Sequence, residues 1–193
     1  VLATEGNLNN HIGVPLTLLR LRPTHQVAVI EMGMNHFGEI ALLSGLVEPT
    51  IAVITNAGPA HLEGVGSIEG VAAAKGEIFQ GLRANGVAVL NADDPFQAYW
   101  QVQSRAYRRV TFGLRATADI AGSYDAVRTS LKVTFSPSAS SVTIKLPFAG
   151  EHNAQNALAA AAVGRALGIA DVEIASGLET ASNIGGRLAR ITL

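Results

Sequence analysis

The sequence predicts an α/β fold: an open, mostly parallel sheet with helices on both faces, followed by a small antiparallel ribbon. Through the first 112 residues, continuous apolar runs alternate with amphipathic stretches. That order is typical of parallel strands joined by crossover helices. Between residues 118 and 147 the pattern changes to short segments of alternating polarity, split by the polar loop SPSASS. Alternation with a period of two indicates strands with one buried face, as in an antiparallel ribbon.

The first half of the chain supplies the parallel layer. Residues 27–31 (VAVIE) and 51–55 (IAVIT) are continuous apolar runs, typical of strands buried on both faces. Residues 37–47 are predicted to form the helix between them. A helix over residues 67–82 follows the second strand, and residues 87–90 (VAVL) form the third.

The remaining elements follow in order. An Asp-Pro pair opens a predicted helix over residues 94–105, because proline suits the first helical turn. Residues 110–112 form a fourth strand. The ribbon strands are residues 131–135 and 142–146. The last predicted elements are a long helix at 153–167, a shorter one at 171–180, and a turn at 184–187.

Composition excludes several classes of protein. Hydrophobic residues make up 48% of the chain and charged residues 15%, so it can bury a full core and is not disordered. The net charge is −1 without a Lys/Arg cluster, which argues against a nucleic-acid surface. The absence of cysteine excludes disulfides and thiolate chemistry and is compatible with a reducing cytoplasm. The longest apolar run, residues 157–163, is too short to span a bilayer.

Lys75 occupies an unusual position for a lysine. On the predicted helix it shares the apolar face with Val71, Ala74 and Ile78, and the small alanines leave room for it. Burial favours the neutral amine and lowers the pKa of a lysine. A neutral amine is a base, a nucleophile or a site of covalent modification. The alternative is that Lys75 extends to water along an ordinary helix.

Two other polar residues follow the predicted parallel strands. Glu31 ends the first strand, and His61 follows the second. The carboxyl ends of parallel strands share one edge of a sheet, where ligands bind. Together with Lys75 they form a candidate Mg²⁺ site, in which the carboxylate is the usual ligand and the histidine the unusual one. Alternatively, Glu31 satisfies backbone N–H groups and His61 is a hydrogen-bonded loop residue.

Three residues toward the end of the chain are candidates for nucleotide binding. Asn153 and Asn156 lie three apart in the first turn of a helix, hence on one face, where two amides can pair with a base edge. Asn153 has an alternative role as a helix N-cap. Arg187 follows two glycines and offers a fixed cation to a phosphate, or is a surface arginine.

The Asn- and Gly-rich opening of the chain is, taken alone, a polar loop that caps a helix. Together with other motifs, however, it resembles the central ATPase domain of the Mur ligases, in the same order along essentially the whole chain. The motifs are TEGNLNN (4–10), EMGMNHFGEI (31–40), TNAGPAHLE (55–63), AKGEI (74–78), NADD (91–94) and HNxxNxxxA (152–160). The first two resemble the F-type members of that family most.

The resemblance implies roles for individual residues. The lysine that matches Lys75 is carbamylated in the family, and Glu31, His61 and that carbamate are implied to hold Mg²⁺. Asn153, Asn156 and Arg187 are implied to bind ATP. We expect substrate-binding residues in the first two motifs: Thr4, Asn7, Asn10, Asn35 and His36.

The implied activity is a cytoplasmic, ATP-dependent ligation in peptidoglycan synthesis. F-type members join D-alanyl-D-alanine to a UDP-muramoyl tripeptide through an acyl phosphate. Other Mur-type ligases and folylpolyglutamate synthetase use the same scaffold and remain alternatives, as does a non-catalytic nucleotide-binding module. The resemblance implies no nucleic-acid or membrane partner.

The resemblance also predicts the domain limits. We expect residues 1–187 to be the central domain and 188–193 to begin the link to a C-terminal domain. The glycine-rich phosphate loop of the family, of the type GxxGK[ST], is not found in residues 1–193. Proline also commonly replaces one of the glycines at 185 and 186 in the family. We therefore expect a fragment that is inactive alone, binds nucleotide weakly and self-associates through exposed strand edges.

Overall fold

A computed structural model describes residues 1–59 and 62–181. The chain divides into two compact units, Val1–Val110 and Thr111–Leu193, and β5 (Arg108–Gly113) crosses the boundary. The α/β fold with mainly parallel strands and an antiparallel ribbon is confirmed. Among the described helices, none has both the length and the apolar character needed to cross a membrane.

Parallel strand pairs of the first unit lie in two separate sheets. β1 (Leu2–Ala3) pairs with β2 (Ala28–Val29) in a small sheet of its own. β3 (Ile51–Ile54) pairs with β4 (Val87–Asn91), from Ile51 opposite Val87 to Ile54 opposite Leu90. Every residue of β4 is buried, as its continuous apolar run predicts.

The helices of the first unit follow its strands in the chain. They are α1 (Gly13–Leu18), α2 (Glu39–Val47), α3 (Leu62–Val65), α4 (Ile68–Gly76) and α5 (Gln97–Gln103), and a short 3₁₀ helix (Glu77–Gln80) continues α4. The core packs around β3 and β4 and includes Ile54, Phe79, Leu90 and Trp100.

The prediction of a doubly buried strand at residues 27–31 is wrong. Only Ala28 and Val29 are in strand conformation, and both are exposed, Val29 by 57%. An apolar run in the sequence shows that the side chains are hydrophobic, but it does not determine whether other parts of the protein bury them. The partner strand β1 is only two residues long, so most of the run is left outside a ladder.

Two helix boundaries also differ from prediction. The helix expected over residues 67–82 begins with Ser67 as its N-cap, whose side chain accepts a hydrogen bond from the Gly70 N–H, but tightens to a 3₁₀ turn at Glu77. α5 begins at Gln97 rather than 94, because Asp94 uses its side chain to close a turn onto the Phe96 N–H.

The second unit is a ribbon covered by two helices. β6 (Ile120–Asp125), β7 (Ser130–Phe135) and β8 (Ser140–Lys145) are antiparallel, and β5 pairs with β6 in parallel. α6 (Glu151–Ala166) packs on β6, and α7 (Asp171–Glu179) packs on β8. The two helices match the predicted positions to within two residues.

Candidate functional site

Lys75 lies near the end of α4, half-buried, on a helix that packs Val71, Ala72 and Ala74 fully into the core. Its Nζ donates to the main-chain oxygen of Asn56 at 2.6 Å. Burial lowers the pKa of the Lys75 ammonium, an effect partly offset by the negative charge of nearby Asp94. The side chain is therefore directed into the protein, as the helical spacing predicts, and its amine loses a proton more readily than that of an exposed lysine.

The segment after β3 is fixed by two buried side chains at the end of β4. Asn91 Nδ2 donates to the Thr55 carbonyl at 2.8 Å, and the Ala57 N–H donates to Asp94 Oδ2 at 2.9 Å. Asn91 is 3% exposed and Asp94 8%. Both bonds reach across the ends of two paired strands. Asp94 holds the N–H of the peptide group 56–57, whose carbonyl Lys75 contacts, and Asn91 holds the carbonyl of the preceding peptide group.

Asn91 and Asp94 are functional candidates that the sequence did not predict. Both belong to the NADD motif, but the resemblance assigns the motif no chemistry. Their position in the sequence could have identified them. Asn91 ends the apolar run of β4 and Asp94 follows closely, at the end of a parallel sheet where ligands bind. Their partners are 36 and 37 residues distant in the chain, so spacing alone could not identify them.

Glu31 lies against the Asn-rich opening of the chain. Its N–H donates to Thr4 Oγ1 at 2.9 Å, and its Oε1 accepts from Asn9 Nδ2 at 2.8 Å. A Cβ added at Gly33 would lie 2.9 Å from Asn9 Nδ2, so glycine permits this close approach. The structure thus joins the TEGNLNN and EMGMNH motifs through Thr4, Asn9 and Glu31.

The other asparagines of the opening segment have different surroundings. Asn10 Oδ1 accepts from the N–H groups of Ile12 and Gly13, at 3.0 and 2.9 Å, and so leads into α1. This matches the alternative in which the opening segment is a polar loop that caps a helix. Asn7 is exposed, and its carbonyl accepts from the Asn9 N–H at 2.8 Å.

Asn35 and His36 form an exposed loop held by Glu39. The N–H groups of Asn35 and His36 donate to Glu39 Oε2 at 2.6 and 3.1 Å, and they hold the pKa of the Glu39 carboxyl below its ordinary value. A Cβ at Gly64 of α3 would lie 1.8 Å from the Asn35 carbonyl oxygen. The chain after β2 and the chain after β3 are therefore in direct contact.

The predicted metal site is only partly within the described residues. Glu31 and Lys75 are described, whereas His61 lies outside the described residues. Within residues 1–59 and 62–181, no group of three His, Cys, Asp or Glu residues is arranged to hold a metal ion. The set of Glu31, His61 and carbamylated Lys75 stays a prediction.

The predicted nucleotide residues on α6 belong to the second unit. Asn153 is not the N-cap, which is Gly150; instead Asn153 Nδ2 donates back to the Ala149 carbonyl at 2.8 Å. Asn156 is exposed one turn further along. Arg187 lies outside the described residues.

A family model described as "Mur ligase middle domain" matches residues 1–164. The chain is 45% identical over 191 residues to the UDP-N-acetylmuramoyl-tripeptide--D-alanyl-D-alanine ligase of Haemophilus influenzae, covering 97% of this chain and 41% of that protein. The chain thus spans about two fifths of the length of this relative.

Solved structures agree with the sequence comparison. MurF from Acinetobacter baumannii is similar with a TM-score of 0.92 and 41% identity, covering 100% of this chain and 42% of that one. MurF from Thermotoga maritima, solved in complex with ADP, is similar with a TM-score of 0.80 and 29% identity, covering 96% and 43%.

Proposed function

The chain belongs to the Mur ligase family, and from that premise we propose that it is the ATP-binding middle domain of a peptidoglycan ligase. The proposed reaction adds D-alanyl-D-alanine to UDP-N-acetylmuramoyl-tripeptide. The printed names of the similar proteins support this choice of substrates. The proposal includes the cytoplasmic location that the resemblance implies.

The environment of Lys75 is the observation that carries the proposal. Its amine is half-buried, its pKa is lowered by burial, and Asn56 supplies one fixed acceptor. A neutral lysine amine can add to CO₂ with loss of a proton, which gives a carbamate and converts a cation into an anionic oxygen ligand. An ordinary surface lysine stays protonated and does not react this way at neutral pH.

The proposed chemistry proceeds in two steps. ATP phosphorylates the terminal carboxylate of the tripeptide, giving ADP and an acyl phosphate. The amine of D-alanyl-D-alanine then attacks the acyl carbon, phosphate leaves with the bonding electron pair, and the amine loses a proton as the amide forms. Holding the reacting groups in place and neutralising phosphate charge are the main tasks of a protein in such transfers.

The donor chemistry of the chain fits Mg²⁺. Glu31 offers a carboxylate that is oriented by a hydrogen bond from Asn9 Nδ2. A carbamate on Lys75 would add a second anionic oxygen ligand. His61 is the predicted third ligand. When bound, Mg²⁺ would supply positive charge to phosphate oxygens.

Nucleotide and substrate contacts complete the proposal. Asn153 and Asn156 are proposed to contact the base of ATP, and Arg187 its phosphates; the ADP complex of a similar protein supports a nucleotide site. Thr4, Asn7, Asn10, Asn35 and His36 are proposed to contact the peptide substrates. The exposure of Asn7, Asn35 and His36 leaves their side chains accessible to a ligand.

A full-length Mur ligase that contains this chain as its middle domain tests the proposal. Ligation of D-alanyl-D-alanine to the UDP-tripeptide is expected, and Lys75→Ala is expected to abolish ligation while ATP binding by calorimetry persists. Added formate is expected to restore part of the activity by replacing carbamate oxygens. Lys132→Ala, an exposed lysine of β7, is the matched control and should keep full activity.

The same measurements distinguish the alternatives. A different amino substrate with the same dependence on Lys75 would indicate another Mur-type ligase or folylpolyglutamate synthetase. ATP binding without turnover in the unaltered protein would indicate a non-catalytic nucleotide-binding module and would overturn the proposal.

A further inference from the structure

Asn91 and Asp94 each make two hydrogen bonds of different kinds. One bond is local: Asn91 Oδ1 accepts from the Asp93 N–H at 2.9 Å, and Asp94 Oδ1 accepts from the Phe96 N–H at 2.8 Å. The other bond reaches the segment after β3, at Thr55 for Asn91 and at Ala57 for Asp94. A residue needed only to close its own turn would not require the second bond.

Together with the Lys75 bond, the second bonds fix two consecutive peptide groups, 55–56 and 56–57. Thr55 O is held by Asn91, Asn56 O by Lys75, and Ala57 N by Asp94, at 2.8, 2.6 and 2.9 Å. Both side chains at the end of β4 are at least nine-tenths buried, so water competes poorly for these bonds. The carbonyl that contacts Lys75 therefore belongs to a peptide group whose N–H is bound by Asp94, and the preceding peptide group is bound by Asn91.

We propose that Asn91 and Asp94 are positioning residues that clamp the segment 55–57 and thereby set the orientation of the Lys75 amine. The clamp acts on Lys75 through the Asn56 carbonyl and not by direct contact with substrate. Its catalytic importance rests on the function proposed above for Lys75. Its effect on the Lys75 amine does not, and can be measured without turnover.

Isosteric exchanges separate the clamp from the local turns. Asn91→Asp keeps an oxygen for the Asp93 N–H but turns a second oxygen toward the Thr55 carbonyl. Asp94→Asn keeps an oxygen for the Phe96 N–H but turns an NH₂ group toward the Ala57 N–H. Each exchange thus preserves the local bond and replaces the clamp bond by repulsion.

Pulse acetylation of the 193-residue chain with acetic anhydride, followed by mass spectrometry, provides the direct measurement. The chain has three lysines, and the exposed Lys132 and Lys145 serve as internal references. Relative to them, both exchanges are expected to increase labelling of Lys75 by about fivefold, the effect of losing one ordinary hydrogen bond.

The two exchanges alter charge in opposite directions, which excludes a purely electrostatic explanation. Asn91→Asp adds a negative charge near Lys75, and Asp94→Asn removes one. If Lys75 labelling rises with Asp94→Asn and falls with Asn91→Asp, charge alone explains the result, and the proposal is overturned. Unchanged Lys75 labelling, or an equal rise at all three lysines, would overturn it as well.

A control variant and a measurement on the unaltered chain complete the test. Asp125→Asn alters another aspartate that caps its own turn, at Val127 and Arg128, and is expected to leave Lys75 labelling unchanged. In the unaltered chain, the Ala57 amide is expected to be protected from hydrogen exchange. Exchange at the rate of an open loop would overturn the clamp even if a variant failed to fold.

Catalysis provides the readout that depends on the proposed function. In a full-length ligase with this middle domain, both exchanges are expected to lower kcat about tenfold while KM stays within about threefold, because orientation rather than binding is lost. If the unaltered ligase has no activity, the function proposed above fails, and the labelling result still decides whether the clamp exists.

Discussion

The ammonium of Lys75 donates to the carbonyl oxygen of Asn56 across 2.6 Å, which joins the end of α4 to the segment after β3. A lysine in this position carries opposing influences. Burial favours the neutral amine, whereas the negative charge of Asp94 favours the ammonium. The balance lowers the pKa below 10.5, so Lys75 is proton-poor relative to the same residue in the unfolded chain.

The lowered pKa of Lys75 makes stability depend on pH. Between the folded pKa and 10.5 the unfolded chain binds more protons, so the free energy of unfolding contributed by this group rises with pH. Lys75→Met removes that contribution. We expect urea unfolding in buffer depleted of CO₂ to give the variant a higher free energy of unfolding than the unaltered chain. This difference should be largest at neutral pH and should shrink as the pH approaches 10.5.

Lys132→Met is the matched control for this measurement. It also replaces a lysine with methionine, but at an exposed position of β7. The free energy of unfolding of this variant is expected to keep the pH dependence of the unaltered protein. A Lys75→Met effect that stays constant across the pH range would contradict the burial of the amine.

Glu77 is expected to stabilise the beginning of α2. Its carboxylate accepts from the Gly38 N–H at 2.8 and 3.0 Å and from the Ala41 N–H at 3.2 Å. These N–H groups have no partner within their own helix. Glu77→Ala should lower the free energy of unfolding by about 1–3 kcal/mol in urea titrations.

A second glutamate of the same unit serves as the control for Glu77. Glu48 pairs with Arg83 at the surface, at 3.1 Å, with both side chains more than 60% exposed. Glu48→Ala is expected to cost no more than about 1 kcal/mol, because water screens such pairs. Equal losses for the two variants would show that Glu77 contributes no more than a surface charge.

Features that depend on residues close together in the chain could be predicted from the sequence. The position of Lys75 could be predicted because helical spacing relates it to Val71 and Ala74, which are its near neighbours. β4 could be predicted because a strand buried on both faces is apolar throughout. Both patterns are complete within a few consecutive residues.

Features that depend on distant residues could not be predicted. The run 27–31 has the composition of a buried strand, yet its cover depends on which other segment pairs with it. α3 is only four residues long and contains a glycine, so it leaves no periodic signal. The bonds from Asn91 and Asp94 join residues more than 35 positions apart.

Asn156 is expected to contribute to nucleotide binding without contributing to stability. It is exposed on α6, one turn beyond Asn153, whose amide is partly engaged with the Ala149 carbonyl. In a full-length ligase with this middle domain, Asn156→Ala should weaken ATP-Mg²⁺ binding about tenfold by calorimetry and leave the melting temperature unchanged. Gln155→Ala, on a different face of the helix, is the control. Equal affinities for both variants would exclude Asn156 from the base site.

Self-association of the 193-residue chain is expected from apolar side chains on two helices. Leu42 and Leu46 lie one turn apart on α2 and are 56% and 51% exposed, and α1, which packs against α2, exposes Leu16 by 49%. Exposed apolar side chains grouped in this way favour contact between copies. Light scattering after gel filtration should give a mass above 20.0 kDa that rises with concentration.

The double variant Leu42→Glu, Leu46→Glu should restore the monomer mass, because association would bury like charges. Val127→Glu, at a turn position that is 95% exposed, should not. A strictly monomeric parent at every concentration would show that these leucines are tolerated in water.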